Sequence, residues 1–385
     1  MRSPAGTFYA VPGAMFFGTF AWSFVYVSLP FHVQAISTVD AAATLRWTGW
    51  ILGISNLVTV VTAPLWGWWA ERSDPRRLYL AVQVGQGLAF VGMALARTLL
   101  ELFFVRLVLG LLGAASTFAF VMAGRGGDAV TVRRQVAAVQ SAMTVAQVIG
   151  PLAGAIAAAR LGFRPSFVLG GSILIACAAL VAWAVPSMAP GPAPRDASGR
   201  ARPGDIAAVA CVVLAGNVQI FFLAAILPQV LPDLGVPPVR TLEVGGLLLF
   251  ISGIAAALGA VAAPRLADWV AERRLIAALL VGSSLGLAAL GLARSVWLYG
   301  TIRFLHVLCI APVFPVIVAG IAHRAGGQAI GVINSARIGA AFVGPVVATT
   351  VLASAPAAAL YALLAAAGLA CVPLARRRPD RPGRP

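Results

Sequence analysis

Apolar stretches of about 20 residues, each able to cross roughly 30 Å of hydrocarbon as a helix, recur along the whole of this 385-residue chain. Twelve can be counted, at residues 10–35, 47–70, 78–97, 99–123, 136–159, 165–185, 206–231, 244–266, 275–293, 297–321, 329–352 and 355–374. Lipid offers no partner to a bare amide, so each stretch must close its own backbone hydrogen bonds, and within one segment the α-helix is the form that does so. The expectation is an all-α integral membrane protein with 12 transmembrane helices. Composition agrees, with 60% hydrophobic and 10% charged residues, far from the balance of a soluble domain. The first span exceeds the core of a cleavable signal, and no small-residue cleavage pattern ends it, so it is expected to stay in the membrane.

Charge sets the expected orientation. All 28 basic residues are arginine. If the first span begins inside, nineteen fall in inner segments and only six in outer loops (Arg46, Arg97, Arg160, Arg164, Arg240 and Arg294). This bias predicts cytoplasmic N and C termini. The net charge of +16 is thereby dispersed over inner loops that face anionic lipid, which argues against a nucleic-acid partner. Cys177, Cys211, Cys309 and Cys371 all lie inside spans without metal-binding spacing, and read as small packing residues.

The Pro-rich stretch "PSMAPGPAPRDASGRARPGD" divides the spans six and six. The organisation read from it is an N-terminal six-helix bundle at 1–185, a cytoplasmic linker at 186–205, a C-terminal six-helix bundle at 206–375 and a basic cytoplasmic tail at 376–385. The halves repeat one another. Arg97 and Arg294, Arg106 and Arg303, Glu71 and Asp268, Gly49 and Gly246, and Ser55 and Ser252 are each 197 residues apart. Leu29-Pro30 and Leu227-Pro228 are 198 apart; Gly150-Pro151 and Gly344-Pro345 are 194 apart.

Four motifs carry a resemblance. "GWWAERSDPRR" follows span two, with Gly67, the acid Glu71 and the pair Arg76-Arg77, and "PRLADWVAERR" after span eight repeats it through Asp268, Arg273 and Arg274. "RLVLGLLGA" stands in span four and "AQVIGPLAG" in span five. Together they resemble the signatures of the major facilitator superfamily, in particular its 12-span drug-efflux (drug:proton antiporter) branch, and the stretch "INSARIGAAFVGP" in span 11 is similar to that branch as well. The resemblance covers the whole chain. It implies two pseudo-symmetric six-helix bundles with a substrate site near mid-membrane, in the bacterial inner (plasma) membrane.

For the inner-loop motif the resemblance implies a latch on the outward-facing state, with Glu71 and Asp268 as its acids and Gly67, Arg76, Arg77 and Arg273 as its frame; the arginines read equally as topology anchors. Gly150, Pro151 and Gly154 read either as a kink that biases which face opens or as ordinary small-residue packing. A polar group at membrane depth costs free energy unless it is paired or wetted, which selects the substrate-binding candidates Trp22, Tyr26, Arg106, Gln147, Asn217, Arg303, His306 and Arg337. The resemblance places spans 1, 4, 7 and 10 around the cavity, so Tyr26, Arg106, Asn217 and Arg303 rank first. Gly110 and Gly113 are expected to leave room on the face of Arg106.

None of the twelve acids sits near the centre of a span. The exporters this chain resembles commonly carry such a carboxylate; here only His32, Glu101 and His306 are placed to couple transport to protons, since an arginine does not release its proton. No Ser/His/Asp, metal-binding or nucleotide-binding constellation is present, so neither an enzyme nor a cofactor is expected. The reading is a transporter working by alternating access as a monomer, coupled to protons or another ion. It exports a small amphipathic or anionic compound or, alternatively, imports or exchanges organic anions such as sugar phosphates.

Overall fold

The computed structural model describes residues 4–125, 128–189, 203–322 and 327–376. Its first half contains α1 (Pro4–Ile36), α2 (Ala41–Arg72), α3 (Pro75–Leu95), α4 (Leu99–Leu111), α5 (Ala115–Gly124), α6 (Ala129–Leu161) and α7 (Phe163–Ala184). The second contains α8 (Pro203–Asp233), α9 (Thr241–Trp269), α10 (Glu272–Leu290), α11 (Val296–Ile310), α12 (Val313–Ala322), α13 (Gly327–Leu352), α14 (Ala357–Ala370) and α15 (Val372–Arg376). A single 3₁₀ turn, Pro238–Arg240, precedes α9, and no strand occurs among the described residues. Twelve helical segments are long and apolar enough to cross a membrane, from Tyr9–Ile36 to Ala357–Ala375, and they coincide with the twelve spans to within a few residues except at the starts of spans two, five and eight, where the helices begin six residues earlier. The protein is an all-α, multi-pass membrane protein.

Local chemistry sets the helix starts. Asp74, Thr98, Asp128 and Ser295 cap α3, α4, α6 and α11, each accepting a backbone N–H of the first turn on its side chain, which satisfies donors a helix start leaves open. Pro75 takes the first position of α3, where its missing N–H is harmless. Gly162 turns the chain from α6 into α7 at φ +88°, a backbone region that costs glycine nothing.

Two spans are interrupted at matching places. Span four breaks between α4 and α5, where the Gly113 N–H bonds the Gly110 carbonyl at 3.0 Å. Span ten breaks between α11 and α12 at Pro312, which has no N–H to continue the ladder.

The chain forms two compact units. One comprises residues 1–38, 54–194 and 245–250, the other residues 39–53, 195–244 and 251–385. They follow the sequence halves except at the first part of α2 and a short piece of α9, which change sides. The core of the first unit gathers Tyr79, Val82, Phe118, Val139 and Val181; that of the second gathers Val209, Ile276, Leu280, Ile310 and Ile317. Most of the expected linker and tail, residues 190–202 and 377–385, lies outside the described residues.

Candidate functional site

In the first unit the polar centre is built around Arg106 on α4, 2% exposed. Its Nη2 donates to the Ser55 hydroxyl of α2 at 2.7 Å, and its guanidinium lies 5.4 Å from the Trp22 ring of α1. Trp22 Nε1 donates to Gln86 Oε1 at 3.1 Å. Gln86 Nε2 in turn reaches the Leu112 carbonyl at 2.6 Å, one of the carbonyls freed at the break between α4 and α5. A buried cation is thus tied to a hydroxyl and an aromatic face, and helices α1, α2, α3 and α4 are tied to one another.

The room expected beside Arg106 is taken. A Cβ at Gly110 would meet the Ser55 carbonyl at 2.6 Å, and one at Gly113 would overlap Thr59. Thr59 Oγ1 donates to the carbonyls of Ser55 at 2.8 Å and Gly110 at 3.1 Å. These glycines bring α4 against the backbone of α2, as small residues do in membrane bundles.

The second unit repeats the arrangement. Arg303 on α11 is 0% exposed. Its Nε donates to Ser252 Oγ at 3.3 Å, Nη1 to the Gln219 carbonyl at 2.8 Å and Nη2 to the Ile220 carbonyl at 2.8 Å. Nη1 also approaches His306 Nδ1 at 3.1 Å. Arginine only donates, so Nδ1 accepts and the imidazole proton is assigned to Nε2. That nitrogen faces Gln219 Oε1 at 3.2 Å. The Phe222 ring lies 5.1 Å from the guanidinium, and a buried Tyr299–Tyr361 hydroxyl pair at 3.1 Å completes the cluster.

These contacts engage Arg106 and Arg303, which are expected as cavity residues, within their own units. Both are buried, and the acceptors that answer the Arg303 guanidinium include the neutral main-chain carbonyls of Gln219 and Ile220 on α8. His306 is likewise occupied at both ring nitrogens. Ser55 and Ser252 escaped notice as ligands, although they share the 197-residue offset of the arginines they bind.

The remaining candidates scatter. Tyr26 is half-buried, and its hydroxyl has no hydrogen-bond partner among the described residues. Asn217 donates to the Val213 carbonyl of its own helix at 2.8 Å, and Gln147 is exposed. Arg337 on α13 is half-buried; its Nε donates to Asn334 Oδ1 at 3.2 Å, and its guanidinium lies 5.5 Å from the Phe314 ring. His32 is 2% exposed between the rings of Phe163 and Phe167, and its Nε2 finds no partner among the described residues. Glu101 is exposed and accepts the Arg97 N–H at 2.8 Å, a capping role at the start of α4.

At the inner-loop motif the hydrogen bonds among the described residues gather on Asp74. Glu71 is exposed, and no hydrogen bond to its side chain occurs among the described residues. Asp74 instead accepts the N–H of Arg76 at 2.9 Å and of Met188 at 3.2 Å, and faces Arg77 at 3.8 Å. Arg76 Nη2 donates to the Ala182 carbonyl of α7 at 2.6 Å, so the motif fastens the start of α3 to the end of α7. The Asp-Pro pair at a helix start was the sequence signal for this. In the second copy Ala271 replaces Asp74, and α10 starts without a side-chain cap; Asp268 is exposed, Arg273 half-buried. An added Cβ at Gly67 would meet nothing among the described residues. Nearby, hydrogen bonds from Thr131, its hydroxyl and then its N–H, hold the Asp128 carboxyl below its ordinary range.

Gly150, Pro151 and Gly154 form a seam. A Cβ at Gly154 would overlap the Phe24 carbonyl of α1, and one at Gly150 would meet Ser23 Cβ at 2.5 Å. On another side of the seam Gly246 of α9 sits 3.0 Å, measured to its notional Cβ, from the Pro151 carbonyl. The second unit mirrors this: Gly49 of α2 stands 2.8 Å from the Pro345 carbonyl, and Gly344 packs on α8 at Val218, Phe221 and Phe222.

Comparison with known proteins accords with this architecture. The profile of the Major Facilitator Superfamily matches residues 13–292. The chain is 23% identical over 327 residues to the multidrug resistance protein MdtG of Citrobacter koseri, covering 82% of this chain and 79% of that protein. It is 23% identical over 347 residues to YuxJ of Bacillus subtilis, an uncharacterized MFS-type transporter, covering 86% and 87%. Among solved structures, a D-xylose–proton symporter superposes with a TM-score of 0.76 at 16% identity, covering 96% of each chain. The chain belongs to the Major Facilitator Superfamily and is a transporter, not an enzyme.

Proposed function

We propose that this transporter exports small amphipathic compounds by alternating access, driven by proton entry. The observation that carries the reading is the similarity to proteins named for multidrug resistance over four-fifths of both chains. The Gly150–Pro151–Gly154 seam supports it, because a proline flanked by glycines leaves α6 able to bend and slide against α1 without side chains in the way. In this reading the seam, its counterpart at Gly344-Pro345 and the inner-loop motif govern the conformational exchange. Arg76 and Arg77 act through Asp74, while Glu71, Asp268 and Arg273 engage only in part of the cycle.

His32 is the proton site of this proposal. Glu101 serves as a helix cap and His306 is held on both ring nitrogens, whereas His32 Nε2 is buried without a partner among the described residues. The reading in which the two halves offer Arg106 and Arg303 to an organic phosphate loses its support, since both arginines are engaged inside their bundles.

Transport into membrane vesicles tests the direction and the coupling. Inside-out vesicles energised with a proton gradient should accumulate fluorescent amphiphiles, and collapse of the gradient should release them. Accumulation only in right-side-out vesicles, or indifference to the gradient, would overturn the proposal.

A further inference from the structure

We propose that Arg337 recognises a negatively charged group on the cargo, which makes carboxylate-bearing amphiphiles a preferred substrate class; this rests on the reading above that the protein moves small amphipathic molecules. Away from the ends of the apolar spans stand three arginines, Arg106, Arg303 and Arg337. The first two are sealed in their bundles by hydroxyl and carbonyl oxygens. Arg337 differs from both. It lies ten residues into α13, which begins at Gly327, about 15 Å along the axis at roughly 1.5 Å per residue, and it is half-buried.

Its surroundings fix the guanidinium while leaving one edge unassigned. Phe314 underlies the group at 5.5 Å and sets its plane. Asn334 occupies Nε at 3.2 Å. Among the described residues, Nη1 and Nη2 donate no hydrogen bond and no carboxylate lies within ion-pairing distance. The paired Nη edge is the part of arginine that grips a carboxylate with two parallel hydrogen bonds. A cation at depth without a counter-ion is costly, and an arriving anion relieves that cost where a neutral molecule does not. Asn334 is exposed, and Cβ atoms added at Gly331 and Gly339 would meet nothing among the described residues, so one side of this stretch of α13 is open among the described residues, while Ile333 and Ala340 pack it into the core on the other.

A matched pair of probes tests the inference on the full-length protein purified in neutral detergent: para-octylbenzoate and its methyl ester, which differ in charge but share a body. The wild type should bind the acid at least about tenfold more tightly than the ester, the size of a charge-assisted contact. Arg337→Gln should weaken the acid by about tenfold and the ester by less than about twofold, and Arg337→Lys should recover only part, because an ammonium lacks the planar fork. Where Arg337→Gln does not yield folded protein, Phe314→Leu is to weaken the acid selectively by loosening the guanidinium plane. Absence of acid binding or of acid preference in the wild type, equal losses for both probes in Arg337→Gln, or an unchanged preference in Phe314→Leu overturns the inference. Binding is measured without a gradient, so a failure of export in vesicles and a failure of acid recognition are separate results.

Discussion

At the scale of single residues, an arginine within an apolar span can serve two ends, and its neighbours decide which. Arg303 turns four hydrogen bonds onto its own bundle, three of them to α8 and α9 and one to His306. Its removal leaves buried acceptors bare, and such groups carry a desolvation cost of roughly 1 to 3 kcal/mol each. Arg303→Met is therefore expected to lower unfolding stability by about 2 to 4 kcal/mol, read from a chemical denaturation series in micelles. A cargo ligand would behave differently, losing affinity while the fold kept its midpoint. An unchanged midpoint would return Arg303 to the cavity. In the first unit Ser55→Ala and Arg106→Lys should prove coupled by about 1 kcal/mol in a double-mutant cycle, since the hydroxyl meets the guanidinium at 2.7 Å.

At the scale of elements, the two halves act as internal controls for each other. Asp74 caps α3, whereas the equivalent Ala271 leaves α10 without a side-chain cap. Asp74→Ala should cost about 1 kcal/mol, and Ala271→Asp should gain a similar amount, because the backbone at both caps is non-helical, with ψ at 112° and 131°. A thermal-shift series on the two single variants and the exchanged pair checks both signs. The seams offer a second contrast. Gly154 abuts the Phe24 carbonyl so closely that a methyl overlaps it, whereas Ala348, 194 residues on, carries its methyl at 0% exposure. Gly154→Ala is expected to abolish transport with most protein still inserted, and Ala348→Gly to cost only about 1 kcal/mol; equal tolerance at the two sites would show that the seam does not depend on contact. Element existence was legible because periodic apolar runs of membrane length have one solution in lipid. The acid at the inner loop is less legible, because Glu71 fits the motif by spacing while Asp74 fits the helix start by stereochemistry, and it is Asp74 that accepts the hydrogen bonds at the start of α3. Sequence spacing does not reveal that Ser55 and Trp22 converge on Arg106 from other helices.

At the scale of the whole molecule, the repeat at 197 residues turns out to be a repeat of contacts as well as of letters. Arginine meets serine 51 positions earlier in both halves, and a glycine meets the carbonyl of the seam proline in both units, Gly246 at Pro151 and Gly49 at Pro345. An even number of spans also constrains topology: a chain crossing twelve times returns its C terminus to the side on which it started. Nineteen arginines lie in the segments of that side against six in the opposite loops, a bias from which a cytoplasmic location of the richer side is expected. A green fluorescent reporter fused after Pro385 should therefore fluoresce, and alkaline phosphatase fused there should stay inactive. The phosphatase should become active when fused in the outer loop at Val39 or Pro237. Moving charge tests the cause: replacing Arg76, Arg77, Arg273 and Arg274 by glutamine removes four of the nineteen basic residues from the first turns of α3 and α10 while leaving every apolar run intact. The reporter signals should then become mixed. Unmixed signals would mean that packing of the first spans fixes the orientation before the later arginines are made.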